Sequence, residues 1–159
     1  MTNIYFMCYP LVKKQGDIFM PKFGKASLER RAMLCNDLKR LVDKVIEKYD
    51  FSIIETFRDK ETQEKYYRSG NSKAKFGDSA HNYHPSFAMD VYPYPVPKKQ
   101  VEGVIQLDSD SLEWERMTNY FKSVASELWI EIECGIDWKS FKDKPHIQLK
   151  DWKERVKNI

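Results

Sequence analysis

The sequence lacks the features that define membrane and secreted proteins. Its 159 residues contain no run of about 18 apolar side chains, so no transmembrane helix and no membrane insertion are predicted. The first ten residues lack the basic start and the long apolar stretch of a signal peptide. We therefore expect the protein to stay in the cytoplasm of the cell that makes it.

Cysteine is also scarce. The three cysteines, Cys8, Cys35 and Cys134, are scattered, and no two of them form a Cys-x-x-Cys pair. A disulfide framework or a thiolate zinc site is therefore not expected. Cys35 falls in a helical apolar pattern and Cys134 in a predicted strand, so both are interpreted as buried free thiols.

The sequence also lacks a large excess of charge of one sign, a linker and internal repeats. The net charge is only +3, and the basic residues are interleaved with acidic ones, so nucleic-acid binding is not expected. So weak a positive charge is compatible with loose attraction to an anionic polymer such as a cell wall. Without a Gly/Ser-rich linker or an internal repeat, residues 1–159 are predicted to form one domain with no separate wall-binding domain. No association face is evident, so a monomer is expected.

Three helices are predicted from apolar spacing and end signals. A long first helix is capped by Ser27, a second runs from Asp59 to Gly70, and a third runs from a capping box at Asp110 to Leu128. The apolar face of the first helix comprises Leu34, Leu38, Leu41, Val42, Val45 and Tyr49.

Strands are predicted at residues 51–57, 86–92, 129–134 and 145–149. In the second strand the alternation directs Met89 and Val91 toward the core and Asp90 away from it. The prolines at 93, 95 and 97 are expected to end sheet pairing and to carry the chain out in extended form. The fold class is therefore predicted to be α+β, with a small, mostly antiparallel central sheet flanked by helices.

Histidine is the scarce residue that indicates chemistry. His81, His84 and His146 all fall in two short segments, and each segment also holds a carboxylate, Asp90 or Asp143. A hydrolytic zinc site needs three such ligands, an open position for water and a general base. The pattern favours a zinc hydrolase with its site at the face of the sheet. His84 is the weakest candidate ligand, because a proline follows it and a surface turn is the simpler interpretation.

Further roles can be assigned from position along the chain. Asp143 is placed to transfer protons, because Pro145 makes the segment before His146 extended. Arg58, between a strand and a helix, is a candidate for stabilising an oxyanion or a substrate carboxylate. Simpler alternatives remain open: Arg58 could only pair with Glu55, and Asp143, like Asp137, could be an exposed surface residue.

Three separated motifs resemble signatures of the peptidase M15 family, which includes D-alanyl-D-alanine peptidases and phage endolysins. The segments Ser79-Ala-His81 and Ala88-Met-Asp90 resemble its Ser-x-His and Ala-x-Asp signature. Its second signature is similar to Gly135-Ile-Asp137-Trp138 followed by Asp143-Lys-Pro-His146, and a third stretch is similar to Arg58, Gln63, Tyr67 and Gly70. The match runs in order from about residue 53 to residue 149.

The sequence departs from the family pattern at two places. Eight residues rather than six separate His81 from Asp90, and the insertion includes His84 and Pro85. In the second signature Ile136 replaces a glycine, and lysines flank Asp143, which we expect to lower the pKa of that carboxyl. Neither departure removes a residue of the predicted site.

The resemblance implies a role for each matching residue. His81, Asp90 and His146 would be the zinc ligands, and Asp143 the general acid and base. Arg58 and Ser79 would contact the substrate or the developing oxyanion. The implied fold is α+β with a central antiparallel sheet, in agreement with the strand predictions.

The implied function is a phage lysin that hydrolyses the L-alanyl-D-glutamate bond of the peptidoglycan stem peptide. Such an enzyme would accumulate in the host cytoplasm and reach the cell wall after release by a holin. Two alternatives stay open: a D,D-carboxypeptidase or dipeptidase acting on D-Ala-D-Ala, and a zinc-stabilised binding domain without catalysis.

Overall fold

The computed structural model describes residues 20–159, so Cys8 and the segment tested for a signal peptide lie outside the described residues. The helices are α1 (Lys25–Ala32), α2 (Asn36–Ile46), α3 (Lys60–Ser69), α4 (Glu113–Glu127) and α5 (Trp152–Val156). The strands are β1 (Phe51–Glu55), β2 (Ala88–Pro93), β3 (Lys98–Val101), β4 (Val104–Leu107), β5 (Ile132–Cys134) and β6 (His146–Leu149). Within the described part of the chain, no helix is long and apolar enough to cross a membrane.

The central sheet has four strands in the order β1-β2-β6-β5, and all its neighbours pair antiparallel. Strands β3 and β4 form a separate two-stranded hairpin. The predicted mixed α+β class with a mainly antiparallel sheet is therefore confirmed. Since β2 and β6 are the two central strands, side chains on them are held by pairing on both sides.

One face of the sheet packs against α4, which in turn packs against α2, and this layer is the hydrophobic core. Met89 and Val91 of β2 are fully buried in it, together with Ile147 and Leu149 of β6. Burial of each such side chain stabilises the fold by about 1.5–3 kcal/mol. The predicted alternation of β2 is confirmed, and it turns Asp90 to the opposite side of the sheet.

The predicted long first helix is wrong, because the chain forms two helices separated at residues 33–35. The break exposes main-chain groups that bind Ser86: Cys35 N–H donates to the carbonyl of Ser86 at 2.9 Å, and Ser86 N–H donates to the carbonyl of Met33 at 2.8 Å. Ser27 is buried inside α1 instead of capping it, and its Oγ accepts from Ile53 N–H at 3.1 Å.

Both end signals of α3 act as predicted. The Asp59 side chain accepts from Thr62 N–H, and Gly70 ends the helix at a φ of 78°. The predicted capping box at Asp110 is wrong, because Lys99 of β3 binds the Asp110 carboxylate at 2.9 Å. Helix α4 begins at Glu113 instead, and the Ser111 hydroxyl accepts from its N–H.

The strand predictions need correction at their ends: β1 stops at Glu55 rather than at residue 57, and β2 begins at Ala88 rather than at residue 86. Residues 129–131 are not part of a strand: Trp129 has a φ of 58° and is 95% exposed, so it turns the chain out of α4 before β5 begins. After β2 ends at Pro93, the chain does not simply run out extended. It folds back as the β3–β4 hairpin around Glu102 and Gly103, both at positive φ.

Candidate metal centre

His81 lies on a short 3-10 helix, Ala80–Asn82, and is fixed there by main-chain contacts. The Ser79 hydroxyl accepts from His81 N–H at 3.4 Å and caps this turn. On the other side, Arg58 N–H donates to the His81 carbonyl at 2.8 Å, and the Asn82 side-chain amide donates to the Arg58 carbonyl at 3.1 Å. The backbone of His81 is therefore tied to the segment that follows β1.

Asp90 and His146 come from the two central strands of the sheet. They are direct cross-strand partners in the β2–β6 register. His146 is buried and Asp90 is partly buried, so both project into a space with limited access to water. The structure thus brings together residues from one turn and two strands that are 9 and 56 positions apart in the sequence.

Three atoms of these side chains form a nearly equilateral triangle. His81 Nε2 lies 3.2 Å from His146 Nδ1 and 3.4 Å from Asp90 Oδ1, and His146 Nδ1 lies 3.2 Å from the same Asp90 oxygen. Zinc bonds of about 2.0–2.2 Å in a tetrahedron place neighbouring ligand atoms about 3.3–3.6 Å apart. The His81, Asp90 and His146 cluster therefore fits a zinc-sized cation and leaves the fourth position open.

Hydrogen bonds behind the two imidazoles define which nitrogen faces the triangle. His81 Nδ1 lies 2.6 Å from the Thr56 carbonyl, which can only accept, so Nδ1 carries the proton and Nε2 offers a lone pair. His146 Nε2 lies 2.9 Å from Gln148 Oε1 and donates to it, so Nδ1 is the nitrogen of that ring that faces the triangle. Metal-binding histidines are held in this way by a partner on the opposite nitrogen.

The charges around the triangle favour an ionised Asp90. Burial alone would raise the pKa of Asp90, but His81 and His146 hold it well below its usual range. Burial alone would lower the pKa of His146, but the hydrogen bond to Asp90 raises it above the ordinary value. Asp90 is thus the group through which both rings gain favourable electrostatic interactions.

Arg58 lies behind Asp90 and is only 8% exposed. Its Nη2 forms an ion pair with Glu55 and lies 3.6 Å from Asp90 Oδ2, and its Nη1 donates to Gln63 at 3.1 Å. The guanidinium also stacks over the Tyr66 ring at 4.7 Å. The alternative in which Arg58 pairs with Glu55 is confirmed as a contact, and the same group also holds the outer oxygen of Asp90.

Asp143 reaches the site through a close approach of two loops. Its N–H donates to the Gly135 carbonyl at 3.0 Å, and its own carbonyl accepts from His146 N–H at 3.2 Å. A Cβ added at Gly135 would overlap the Asp143 carbonyl oxygen and lie 3.1 Å from the His146 Cβ. Glycine at 135 is therefore what allows Asp143 to sit beside His146.

The environment of Asp143 corrects the expectation for its pKa. Burial raises the pKa above its usual value, and the nearby Asp90 charge raises it further. The expected lowering by the flanking lysines is wrong, since Lys144 points away and donates to the Ser109 carbonyl. A partly buried carboxyl with a raised pKa is suited to accepting and returning a proton.

Two of the residues weighed in the sequence lie outside the cluster. His84 is exposed and contacts the Phe57 ring edge-to-face at 5.7 Å, so the surface-turn interpretation is confirmed. Asp137 is exposed and pairs with Lys122 at 2.7 Å.

Sequence reasoning missed the residues that support His146 from behind. Gln148 follows His146 by two positions in β6, and Glu133 is its cross-strand partner on β5. Strand alternation alone would have placed Gln148 beside His146, but the partner strand could not be read from spacing.

Comparison with known proteins relates the chain to one peptidase family. Residues 19–153 match the family described as phage L-alanyl-D-glutamate peptidase. Peptidoglycan L-alanyl-D-glutamate endopeptidase CwlK of Bacillus subtilis is 29% identical over 107 residues, which are 63% of this chain and 60% of that protein. The matched region thus spans about 60% of the length of this relative.

A solved structure is similar over almost the whole chain. The Serratia marcescens L-Ala D-Glu endopeptidase ChiX superposes with a TM-score of 0.67 at 26% sequence identity. The superposition covers 89% of this chain and 98% of that one. The fold therefore has a counterpart in a solved structure of that endopeptidase.

Proposed function

The chain belongs to the phage L-alanyl-D-glutamate peptidase family, and on that premise we propose that it is a zinc-dependent peptidoglycan peptidase. The bond that we propose it hydrolyses is the L-alanyl-D-glutamate bond of the stem peptide. The observation that carries the proposal is the triangle of His81, Asp90 and His146, whose dimensions suit zinc. The names of the relatives CwlK and ChiX support the choice of bond, and the three sequence motifs support a place in the peptidase M15 group.

In this proposal His81 Nε2, His146 Nδ1 and Asp90 Oδ1 hold the metal. Zinc bound there would polarise the scissile carbonyl and make water acidic enough to react at neutral pH. Asp143 is proposed to accept the proton of the attacking water and to return it to the leaving amine. Its raised pKa supports that role, because the group must be able to exist in both protonation states.

Arg58 and Ser79 are proposed to serve the same site. Substrate or oxyanion contact by either residue stays a prediction. Their contacts support an additional role in positioning, since Ser79 caps the turn that carries His81 and Arg58 holds Asp90 Oδ2. The Arg58 Nε is buried and has no hydrogen-bond partner among residues 20–159.

Digestion of purified peptidoglycan tests the bond that is cleaved. We expect mass spectrometry to show new N-terminal D-glutamate, and chelation of the metal to abolish the products. Release of terminal D-alanine instead would identify a D,D-carboxypeptidase and overturn the endopeptidase proposal.

The conservative substitution Asp143→Asn separates catalysis from binding. We expect the variant to retain about one bound zinc while peptidoglycan hydrolysis falls by at least about 100-fold, as is typical for loss of a general acid or base. Undiminished wall lysis by Asp143→Asn would support the non-catalytic binding domain.

The biological setting belongs to the same proposal. The family name supports a phage lysin, which would wait in the host cytoplasm and act on the cell wall after holin-mediated release. The single-domain organisation and the monomeric state stay predictions, and the second is checked by light scattering of the purified protein.

A further inference from the structure

We propose that Gln148, Glu133 and Trp138 form a support chain that fixes the ring orientation and the protonated nitrogen of His146. The inference goes beyond the proposed function, and it rests on that function only for the expectation that the site binds a metal. None of the three residues contributes an atom to the ligand triangle; they act through His146.

The donors and acceptors of the support chain permit one assignment of each hydrogen bond. The indole N–H of Trp138 donates to Glu133 Oε1 at 2.5 Å, and the Gln148 amide nitrogen lies 3.2 Å from Glu133 Oε2. A carboxylate only accepts, so Gln148 must turn its NH₂ toward Glu133. Its carbonyl oxygen then faces His146 Nε2 at 2.9 Å and accepts a proton from it.

The fold explains why these groups meet. Glu133 on β5 is the cross-strand partner of Gln148 on β6, and Gln148 shares a strand face with His146. Trp138 follows the 3-10 helix Gly135–Asp137, and its ring lies 4.9 Å from the His146 ring. The support chain therefore both packs against the imidazole and determines its hydrogen bonding.

The consequence lies in metal affinity. With Nε2 protonated and bonded, His146 has only Nδ1 to offer, directed at Asp90 and His81. Loss of such an outer partner typically weakens metal binding by about 10–100-fold. A role limited to packing would instead lower stability and leave zinc affinity unchanged.

Titration of metal-free protein with zinc against a competing chelator tests the proposal without measuring activity. We expect Gln148→Met, which keeps the size of the side chain, to bind zinc about 10–100-fold more weakly. Trp138→Phe keeps a ring against His146 but removes the indole N–H. The decrease in zinc affinity should therefore be smaller for Trp138→Phe than for Gln148→Met. Glu131→Ala is the matched control, because this exposed residue forms an ion pair with Lys150 at 3.5 Å and should leave zinc affinity unchanged.

A swapped pair provides the rescue. In the double variant Glu133→Gln/Gln148→Glu, the carboxylate moves next to His146 and the amide moves next to Trp138. The new carboxylate can accept from His146 Nε2, and the new amide oxygen can accept from the Trp138 indole. We expect affinity to return to within a few-fold of the original protein. Wild-type affinity in Gln148→Met, or no recovery in the swap, would overturn the proposal.

Nitrogen NMR of the histidine side chains separates this inference from the proposed function. In metal-free protein we expect His146 Nε2 to show the hydrogen bond to Gln148, and Gln148→Met to lose that hydrogen bond. If the original protein binds no zinc, the metal part of the proposed function fails, while the NMR result still decides on the support chain. If zinc binds equally to all variants and the His146 signals do not change, only the support chain fails.

Discussion

Asp90 on β2 and His146 on β6 are direct cross-strand partners, and their facing atoms, Oδ1 and Nδ1, lie 3.2 Å apart. Two of the three candidate ligands are thus placed by the register of one strand pair. A slip of either strand by one residue would turn its candidate ligand toward the core. The third, His81, is placed by a turn that is tied to the end of β1 through Arg58.

Zinc should stabilise the folded protein through these three ligands. At a free zinc concentration about 100 times the Kd, binding to the native state contributes about 2.7 kcal/mol, which calorimetry detects as a higher unfolding temperature. Asp90→Asn keeps the shape of the side chain but removes its charge, so we expect the zinc-dependent increase to vanish. Asp137→Asn, on an exposed carboxylate, should keep the increase in full; its loss there would place the metal elsewhere.

Gly135→Ala adds only one methyl group but should strongly disturb the position of Asp143. The added methyl group would overlap the Asp143 carbonyl and crowd the His146 Cβ, so the backbone must move. We expect the free energy of unfolding in urea to fall by about 1–3 kcal/mol, with a larger relative loss of activity. Gly24→Ala is the control, because a Cβ there meets nothing within 4 Å. Equal effects of the two substitutions would contradict this interpretation.

Removal of Arg58 should be strongly destabilising. Its guanidinium neutralises Glu55 and Asp90 at a buried position, and breaking such a buried pair typically costs about 3–5 kcal/mol. The unfolding free energy of Arg58→Ala in urea measures this loss. Arg31→Ala removes an arginine from a more exposed pair with Asp43 and should change stability by only about 0–1 kcal/mol.

The two described cysteines should resist thiol reagents while the protein is folded. Burial raises the pKa of Cys134 to about 12 and also raises that of Cys35, so neither forms appreciable thiolate at neutral pH. In a Cys8→Ser background, we expect almost no reaction with a disulfide reagent until denaturant is added, and then two thiols per chain. Rapid labelling without denaturant would show that the β5 edge opens readily.

Local signals in the sequence predicted structure well where the partner groups lie close along the chain. Asp59 caps α3 through Thr62, three residues away, and the alternation in β2 correctly turned Asp90 from the core. Ser27 and Asp110 carried equally good capping signals and failed. Each is bound instead by a group distant along the chain, Ile53 N–H or the Lys99 ammonium.

At the candidate site, too, the sequence predicted some residues and missed those whose partners are distant along the chain. The clustering of three histidines with carboxylates favoured a metal site, and the resemblance to the peptidase M15 signatures implied which of these residues would be the ligands. The partners behind them depend on strand register and on a main-chain carbonyl. Glu133 reaches Gln148 only because β5 pairs with β6, and Thr56 serves His81 through its backbone, so its side chain gives no signal.

The anchoring of Ser86 to the break between α1 and α2 has an evolutionary consequence. Main-chain hydrogen bonds with Met33 and Cys35 hold Ser86, and the Tyr83 hydroxyl donates to the Gly77 carbonyl. The chain between His81 and Asp90 is therefore fixed on both sides of a short exposed tip. The tip consists of two residues, His84 and Pro85. Two is also the number of residues by which the spacing from His81 to Asp90 exceeds the family pattern. Relatives can therefore gain or lose residues here without moving either ligand, and the tip is a natural place for lineages to diverge in length.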